Sequence, residues 1–239
     1  MFIMIFLFML VTYIIPVFNE RKTVKKSIED ILDLKIEKEI IIIDNNSTDG
    51  SKEIIKNFEN FKEVKIILKD KNLGFGHSIQ VGFSAAKGKY IFIQYADLEY
   101  NHITSLEMVK RAEQNQIDVI FASRLKNFSK FEIFKSFLKK PSYSATLICT
   151  FLINIFYRKK LKDIIGTKLY LREKLINYIP NNNGQGFDFE FVSLICKHNL
   201  KIEEMHIEYT PRENSKDKKI KFYHMFNALY EIFKVKLFF

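Results

Sequence analysis

Five short apolar runs recur along the first half of the chain, and each is bounded by residues that favour turns. The runs are Val11–Val17, Glu39–Ile43, Val64–Leu68, Tyr90–Ile93 and Asp118–Ala122. Helical patterns lie between them, at Thr23–Leu34, Ser51–Phe58, His77–Ala86 and Ile103–Gln114. Strands that are apolar throughout and alternate with helices form mostly parallel sheets, because helices cover both faces of such a sheet. The pattern therefore predicts an α/β fold with a mostly parallel sheet flanked by helices.

The loops that follow these strands hold the polar residues of a candidate binding site. Ligands of parallel sheets bind beyond the carboxyl ends of the strands. PVFNE, residues 16–20, follows the first strand, and Asp44 opens the loop after the second. Asn72 and Gly74 follow the third strand, and QYADLEYN, residues 94–101, follows the fourth. One acid in a loop is ordinary turn chemistry, but polar loops at one edge of a sheet predict a site at that edge.

Asp97 and Glu99 are the candidate metal ligands in the fourth loop. Two carboxylates with one residue between them, on a turn, can face one cation together. Mg²⁺ or Mn²⁺ takes one or two protein carboxylates and completes its coordination with water and phosphate oxygens. Such a metal would neutralise a departing diphosphate. The same pair also fits a solvated turn, and the spacing alone leaves both interpretations open.

The glycine-containing segment at residues 72–88 differs from a dinucleotide-binding fingerprint. After Gly74 and Gly76, that fingerprint requires its third glycine where this chain has Ile79. We therefore predict a tight turn at Gly74 and Gly76, with access for a ligand. Gly82 is predicted to let the following helix pack closely on the sheet.

The chain is basic, with a formal net charge of +10. Between Lys126 and Lys174 there are 12 Lys and Arg residues against three acids. This excess suits an anionic membrane surface or a phosphorylated substrate. Nucleic acid is not expected as a partner, because no recognition helix, zinc finger or aromatic RNA-binding signature accompanies the charge. Cys149 and Cys196 lie far apart in apolar surroundings, which predicts neither a disulfide framework nor a zinc site.

The length of 239 residues suits one domain with short appendages. We divide the chain into an apolar leader at residues 1–10, a catalytic domain at 11–212 and a basic amphipathic segment at 213–239. The leader lacks a basic region and a cleavage site, so a signal peptide is not expected. It either simply precedes the first buried strand or touches a membrane. Residues 139–162 predict an apolar helix with basic ends, which is either a core helix or an interfacial one.

The order of the motifs resembles the family 2 glycosyltransferases, which use nucleotide-diphospho-sugars and have the GT-A fold. The resemblance rests on IIPVFNE at 14–20, IIIDNNSTDG at 41–50 and the stretch from Asn72 to Tyr100. Residues 122–124, 163–172 and 204–212 are similar to the polyprenyl-phosphate (dolichol-phosphate) mannosyl- and glucosyltransferase branch. The resemblance implies a Rossmann-like GT-A sheet with a C-terminal, basic and aromatic helical part that faces a membrane.

The resemblance also implies roles for individual residues. Pro16, Phe18 and Glu20 match a loop that cups the nucleotide base, and Asp44 matches an acid that contacts the base or ribose. Asn72 and Gly74 are assigned to the same nucleotide-sugar site. Asp97 matches the last acid of the metal-binding Asp-X-Asp motif, with Glu99 as a further ligand for Mg²⁺ or Mn²⁺. Arg124, Arg212 and Lys219 are the predicted phosphate-binding residues, although a solvated basic loop also explains Lys219.

Tyr95 departs from the family pattern, since it stands where the family usually has the first Asp of the motif. A neutral Tyr is a poor ligand for Mg²⁺, so we expect weak metal binding. A nucleotide-sugar-binding protein that has lost catalysis is therefore an alternative to an enzyme.

The chemistry implied is inverting transfer, in which an acceptor oxygen attacks the anomeric carbon as the nucleoside diphosphate leaves. A polyprenyl-phosphate acceptor is already anionic and needs no strong base. A glycan hydroxyl needs a carboxylate to take its proton. Asp188 and Glu190 are the candidates for that base, and both are also explained as acids of a helix N-terminus. We expect an enzyme held peripherally at the cytoplasmic face of a membrane, with homo-oligomerisation left open.

Overall fold

The computed structural model describes residues 10–129, 131–133, 141–210 and 224–238. In these residues seven strands form one sheet: β1 (Val11–Val17), β2 (Lys38–Asp44), β3 (Val64–Leu68), β4 (Tyr90–Ile93), β5 (Val119–Ser123), β6 (Lys168–Leu171) and β7 (Ile202–His206). The helices are α1 (Val24–Leu32), α2 (Ser51–Lys56), α3 (Phe75–Ala85), α4 (Thr104–Asn115), α5 (Pro141–Tyr157), α6 (Arg172–Leu175), α7 (Phe187–Lys197) and α8 (His224–Phe238). Residues 1–9 of the predicted leader lie outside the described part of the chain.

The sheet has the order β3-β2-β1-β4-β6-β5-β7. The first four strands pair in parallel, as the apolar runs predict, and β7 pairs in parallel with β5. β6 is antiparallel to both β4 and β5. Because β6 runs the other way, its first residue, Lys168, lies at the edge where β4 and β5 end. The mostly parallel α/β fold is confirmed.

β6 and β7 were not among the strands predicted from apolar runs. β6 has four residues and begins with a lysine, whereas β7 contains Glu203 and Glu204. These polar side chains interrupt the apolar pattern. Long-range contacts satisfy them instead: Arg111 pairs with Glu203, and the backbone N–H groups of Lys162 and Asp163 donate to Glu204.

The two faces of the sheet carry separate hydrophobic clusters. On one face, α1, α2 and α4 cover side chains such as Tyr13 and Ile42. On the other face, α3 and α7 lie against the sheet, through Ile79 and Phe191 among others. α7 is buried on nearly all sides, because α5 and α8 pack over it as an outer layer.

The C-terminal helix α8 belongs to the same core. Ala228 and Ile232 lie in the cluster that contains α7 and the sheet, so α8 packs against that core. The division at residues 10/11 and 212/213 stays a prediction. In the described part of the chain, no helix is both long and apolar enough to cross a bilayer. Cys149 and Cys196 are free and buried, and burial raises the pKa of each thiol to about 12.

Gly82 is a point where α3 packs closely on β1, as predicted. A Cβ at this position would lie 2.5 Å from Ile14 Cγ2. We expect Gly82→Val to lower the free energy of unfolding by about 1–3 kcal/mol, as overpacked cores do. The matched control is Ser84→Val on the exposed side of the same helix. It should change the free energy of unfolding by about 0.5 kcal/mol or less. Urea denaturation measures both, and equal stabilities would contradict close packing at Gly82.

Candidate functional site

The loops after β1 and β2 are locked together at the carboxyl edge of the sheet. Asn19 N–H donates to Ser47 Oγ at 3.0 Å, and Thr48 N–H donates to Asn19 Oδ1 at 2.8 Å. Glu20 N–H donates to Ser51 Oγ. This places Pro16, Phe18 and Glu20, which are all half-buried, beside the loop that begins at Asp44.

Asp44 supplies a buried acceptor with unused capacity. The residue has no exposed surface, and its Oδ2 accepts the Ser47 N–H at 3.1 Å. Its Oδ1 is buried and has no hydrogen-bond partner within the described residues. A buried acceptor without a donor is costly, so this oxygen suits a ligand that donates a hydrogen bond. The N–H of a base or the hydroxyl of a ribose has that chemistry.

Asn45 and Asn72 join the second and third loops. Asn45 Nδ2 donates to Asn72 Oδ1 at 2.6 Å, and Asn72 Oδ1 also accepts the Gly74 N–H. Gly74 has a φ of +96°, and a Cβ there would lie 2.2 Å from the carbonyl oxygen of Asn183. Glycine is therefore required at 74, because the loop that contains Asn183 passes directly over it. Sequence analysis placed Asn72 and Gly74 here but missed Asn45.

Lys69 is a second residue that the sequence did not single out. Its Nζ donates to Asn45 Oδ1 at 3.2 Å and to Ser78 Oγ at 3.1 Å. Burial lowers the pKa of Lys69 to about 8. Burial, together with the charge of Lys69, also lowers the pKa of His77. The only local signal was a lysine immediately after a strand that leads into a polar loop.

The turn at Asp97 and Glu99 is fixed from two sides. Asp97 Oδ1 accepts the Glu99 N–H at 3.1 Å, and Leu98 between them has a φ of +61°. Non-glycine residues with positive φ are uncommon and are held by their surroundings. Here the segment after β7 holds the turn, since Tyr209 Oη donates to Glu99 Oε2 at 2.9 Å and Thr210 N–H donates to the Glu99 carbonyl.

The donor set of this turn fits a hard divalent cation that shares its ligands with a diphosphate. In the part of the chain that the structure describes, no group of three or more His, Cys, Asp and Glu side chains is arranged to hold a metal ion. The carboxylates at this turn are those of Asp97 and Glu99. Mg²⁺ needs one or two carboxylates when phosphate and water oxygens complete its octahedron, so two are sufficient.

Tyr95 forms part of an aromatic wall beside the turn. Its ring stacks on Phe75, with centroids 5.9 Å apart and planes 11° apart, and it contacts Tyr100 at 5.9 Å. Burial and the nearby charge of Asp188 raise the pKa of Tyr95 well above its ordinary value. The phenol therefore stays neutral and contributes shape and apolar surface to the site.

Asp188 lies in the first turn of α7 and is paired with a buried lysine. Lys168 Nζ donates to Asp188 Oδ1 at 3.3 Å and to the Gly166 carbonyl at 2.9 Å. The side chain of Lys168 is only 3% exposed. Burial, together with the charge of Asp188, raises the pKa of Tyr170. Sequence analysis named Asp188 but gave Lys168 no role, because a lysine at the start of a strand carries no signal of its buried partner.

Glu190 lies elsewhere and has different partners. It is 1% exposed, its Oε2 accepts the Asn182 N–H at 2.9 Å, and its Oε1 accepts Lys234 Nζ at 2.9 Å. Both oxygens are thus used to connect α7 with α8 and with the loop at Asn182. This geometry favours an anchoring role over the general-base role considered for Glu190 from the sequence.

Arg124 lies near the turn at Asp97 and Glu99, in a buried ion pair. Its Nε and Nη2 donate to the two carboxylate oxygens of Asp163, at 2.7 and 3.0 Å. The guanidinium also lies over the ring of Tyr209, 5.3 Å from its centroid. A phosphate contact by Arg124 stays a prediction. Arg212 and Lys219 lie outside the described residues.

The family model described as glycosyl transferase family 2 matches residues 12–179. The chain belongs to this family. It is a glycosyltransferase, and the matched region contains the loops built from Asp44, Gly74 and Asp97.

Curated relatives of this family 2 protein include lipid glycosyltransferases. A dolichyl-phosphate beta-glucosyltransferase of Trichomonas vaginalis is 24% identical over 225 residues, which cover 87% of this chain and 68% of the relative. A dolichyl-phosphate beta-glucosyltransferase of Dictyostelium discoideum is 26% identical over 226 residues, which cover 85% of this chain and 67% of the relative. A cholesterol galactosyltransferase of Borreliella burgdorferi is 32% identical and covers 77% of this chain but 54% of the relative.

Solved structures confirm the GT-A fold of this family 2 chain. Mannosyl-3-phosphoglycerate synthase of Rubrobacter xylanophilus has a TM-score of 0.69 at 14% identity, covering 95% of this chain and 73% of the other. Glucosyl-3-phosphoglycerate synthase of Mycobacterium tuberculosis has a TM-score of 0.68 at 12% identity, and the match covers 96% of this chain and 80% of the other. That structure was solved with Mn²⁺, UDP-glucose and phosphoglyceric acid.

The metal site can be tested by Mn²⁺ binding, independently of turnover. In the presence of UDP as a probe diphosphate, we expect Asp97→Ala to weaken Mn²⁺ binding by about tenfold or more, as loss of a ligand does. Tyr95→Asp adds a carboxylate beside the turn and should strengthen binding. Electron paramagnetic resonance of free Mn²⁺ measures both. Asp70→Ala, an exposed acid in the preceding loop, is the control, and an Asp97→Ala protein with unchanged affinity would contradict the assignment.

The pKa of Lys69 gives a prediction about pH. The folded protein should release the Lys69 proton near pH 8, whereas an unfolded chain releases it near 10.5. Burial of the ammonium group therefore destabilises the fold below pH 8, and this penalty is relieved as the pH rises from 8 towards 10.5. NMR titration of ¹³C-dimethylated lysines should show one signal that titrates near pH 8 and is absent in Lys69→Arg. A Lys69 signal that titrates with the bulk of the lysines would refute the prediction.

Proposed function

We propose that this glycosyltransferase transfers a sugar, with inversion, from a nucleotide-diphospho-sugar to a polyprenyl phosphate at the cytoplasmic face of a membrane. The relatives named for dolichyl phosphate support this acceptor class. The glucosyl-3-phosphoglycerate synthase solved with UDP-glucose and Mn²⁺ supports this donor class for the shared fold. The buried, unpaired Oδ1 of Asp44 supports a nucleotide beside β2.

The observation that carries the proposal is that both candidate general bases, Asp188 and Glu190, are already held in ion pairs. Asp188 is paired with the buried ammonium of Lys168, and Glu190 has one oxygen on Lys234 and the other on a backbone N–H. Protonating Asp188 would weaken its ion pair and leave the buried ammonium of Lys168 poorly compensated, which is costly. Glu190 is 1% exposed and already has both oxygens in hydrogen bonds. An acceptor that already carries a negative oxygen needs no such base. A phosphate has this property, and a hydroxyl does not.

In the proposed reaction an anionic oxygen of the acceptor phosphate attacks the anomeric carbon on the face opposite the donor diphosphate. A new carbon–oxygen bond forms, the bond to the nucleoside diphosphate breaks, and that diphosphate leaves with the bonding electrons. Asp44 and the loops at Pro16, Phe18 and Gly74 hold the nucleotide. Asp97 and Glu99 would hold Mg²⁺ or Mn²⁺, which supplies positive charge for the leaving diphosphate. The aromatic wall at Tyr95 excludes water from the sugar.

A lipid hydroxyl is the second candidate acceptor, because the Borreliella burgdorferi relative is named for transfer to cholesterol. A hydroxyl nucleophile would require a general base. Asp188 is the better placed of the two carboxylates, since it is part-exposed beside Tyr95, and it would have to leave Lys168 in order to act.

The direct experiment is a transfer assay with a panel of nucleotide sugars and undecaprenyl phosphate, with and without Mn²⁺. We expect transfer with at least one donor and a clear dependence on the metal. Cholesterol and a glycan acceptor test the alternative in the same assay. Saturable nucleotide binding without transfer to any acceptor would refute the enzyme and leave a nucleotide-sugar-binding protein.

Asp188→Asn separates the two acceptor classes. The introduced amide oxygen can still accept a hydrogen bond from Lys168, but the lost charge should lower the melting temperature. Transfer is therefore measured well below that temperature, and circular dichroism checks that the variant is folded. With a phosphate acceptor we expect transfer to fall by less than about tenfold. Loss of a general base would instead lower transfer by about 10²–10⁴-fold. A loss in that larger range, in a variant that is folded at the assay temperature, would favour the hydroxyl acceptor.

A further inference from the structure

Exposed apolar side chains concentrate on the outer layer of the molecule. Among the described residues, 13 large hydrophobic side chains are exposed, and eight of them lie on α5 and α8. We call these eight the outer apolar face: Ile148, Phe151 and Ile155 on α5, and Phe226, Tyr230, Phe233, Leu237 and Phe238 on α8. The exposed fractions reach 63% at Phe151 on α5 and 80% at Phe238 on α8. An apolar concentration of this kind marks an interaction site in soluble domains.

The two helices of the outer apolar face touch each other and are held by the core beneath them. Phe156 of α5 and Phe233 of α8 meet edge to face, with centroids 5.2 Å apart, so the two helices lie side by side. On the inner sides, Ile153 and Ile232 are completely buried. Since the inner sides are already packed, neither helix can rotate its outer side chains inward without exposing its core residues.

Positive charge borders the outer apolar face. Arg158 and Lys160 are exposed just after α5 ends, and Lys236 is exposed on α8. The Lys236 ammonium lies 6.0 Å from the ring centroid of Phe156 and 5.6 Å from that of Tyr157. α5 contains no acidic residue, and the one acid of α8, Glu231, is buried and bonded to Asn182 and Lys234. The face therefore presents apolar and cationic groups without exposed acids.

We propose that the outer apolar face is a membrane-docking surface that lies in the headgroup region of an anionic bilayer. Helices with exposed aromatic and aliphatic residues and basic flanks bind such interfaces in the plane of the membrane. A second copy of the chain fits less well, because a symmetric contact through this face would bring its cations against one another. This docking surface extends the proposed function. It rests on that function for the identity of the acceptor, a polyprenyl phosphate.

Docking through this face would place the donor site close to the lipid. Asn182 Nδ2 donates to Glu231 Oε1 of α8 at 2.8 Å, and the neighbouring Asn183 carbonyl accepts the His77 N–H at 3.1 Å. The loop that covers Gly74 is thus bonded directly to the docking helix. A phosphate at the membrane surface would be presented to an enzyme whose donor loops are positioned from that same surface.

Vesicle sedimentation tests the surface without any need for catalysis. The wild-type protein should bind vesicles of phosphatidylglycerol and phosphatidylcholine more tightly than vesicles of phosphatidylcholine alone. The double variant Phe151→Glu with Tyr230→Glu should lose about tenfold or more in affinity for both. Phe61→Glu, at an exposed phenylalanine outside the face, is the matched control and should bind as the wild type does. Arg158→Glu with Lys160→Glu should remove the preference for anionic vesicles.

Three outcomes would overturn the proposal: no vesicle binding by the wild type, equal binding by the double variant, or light scattering that shows a dimer which the double variant abolishes. The last would assign the face to a second copy. Transfer to a short, water-soluble prenyl phosphate should be the same in the wild type and the double variant. If neither transfers to any phosphate but the wild type binds vesicles through this face, the proposed function fails and the docking surface stands.

Discussion

Lys168 brings an ammonium group to the carboxyl edge of the sheet, in a position from which water is almost excluded. A buried charge is stable only where carboxylates or carbonyl oxygens surround it. The Gly166 carbonyl and the Asp188 carboxylate supply these oxygens. Asp188 belongs to α7, so this ion pair fixes where α7 begins relative to the sheet. α5 and α8 pack on α7 in turn, and the outer layer therefore depends on the same contact.

The Lys168–Asp188 pair also gives a physical context for Tyr95. A carboxylate at position 95 would lie near Asp188, and two like charges at short range in a partly buried site raise the pKa of at least one of them. The tyrosine avoids that repulsion and stacks on Phe75 instead. The negative charges that can face a cation are then those of Asp97 and Glu99, on the side of the turn that Tyr209 holds. Tyr95 thus lies between the turn at Asp97 and Glu99 and the Lys168–Asp188 pair.

Much of the first half of the fold can be predicted from the sequence, because its strands are apolar and its helices have a clear period. The observed bounds of β1, β3 and β4 are those predicted. β6 and β7 could not be found in this way, since Lys168 and Glu204 are polar residues whose burial depends on partners distant in sequence. The same reason explains which residues of the candidate site could be found from the sequence and which could not. Asp44, Asp97 and Glu99 follow recognisable strands, whereas Asn45, Lys69 and Lys168 acquire their roles only from contacts made across loops.

α8 shows how the site and the surface of this enzyme are joined. A surface helix of a globular protein normally buries its apolar side and exposes its charges. α8 instead directs Glu231 inward, where it meets Asn182 and Lys234, and leaves Phe226, Tyr230 and Leu237 outside. In water this arrangement leaves apolar area exposed that burial would favour, at about 25 cal/mol per Å². At a lipid interface both sides of the helix are satisfied, the inner one by the network around Glu190 and the outer one by acyl chains. In the proposed membrane-docked state, this inward polar network would hold the donor loop while the opposite side of the same helix contacts lipid.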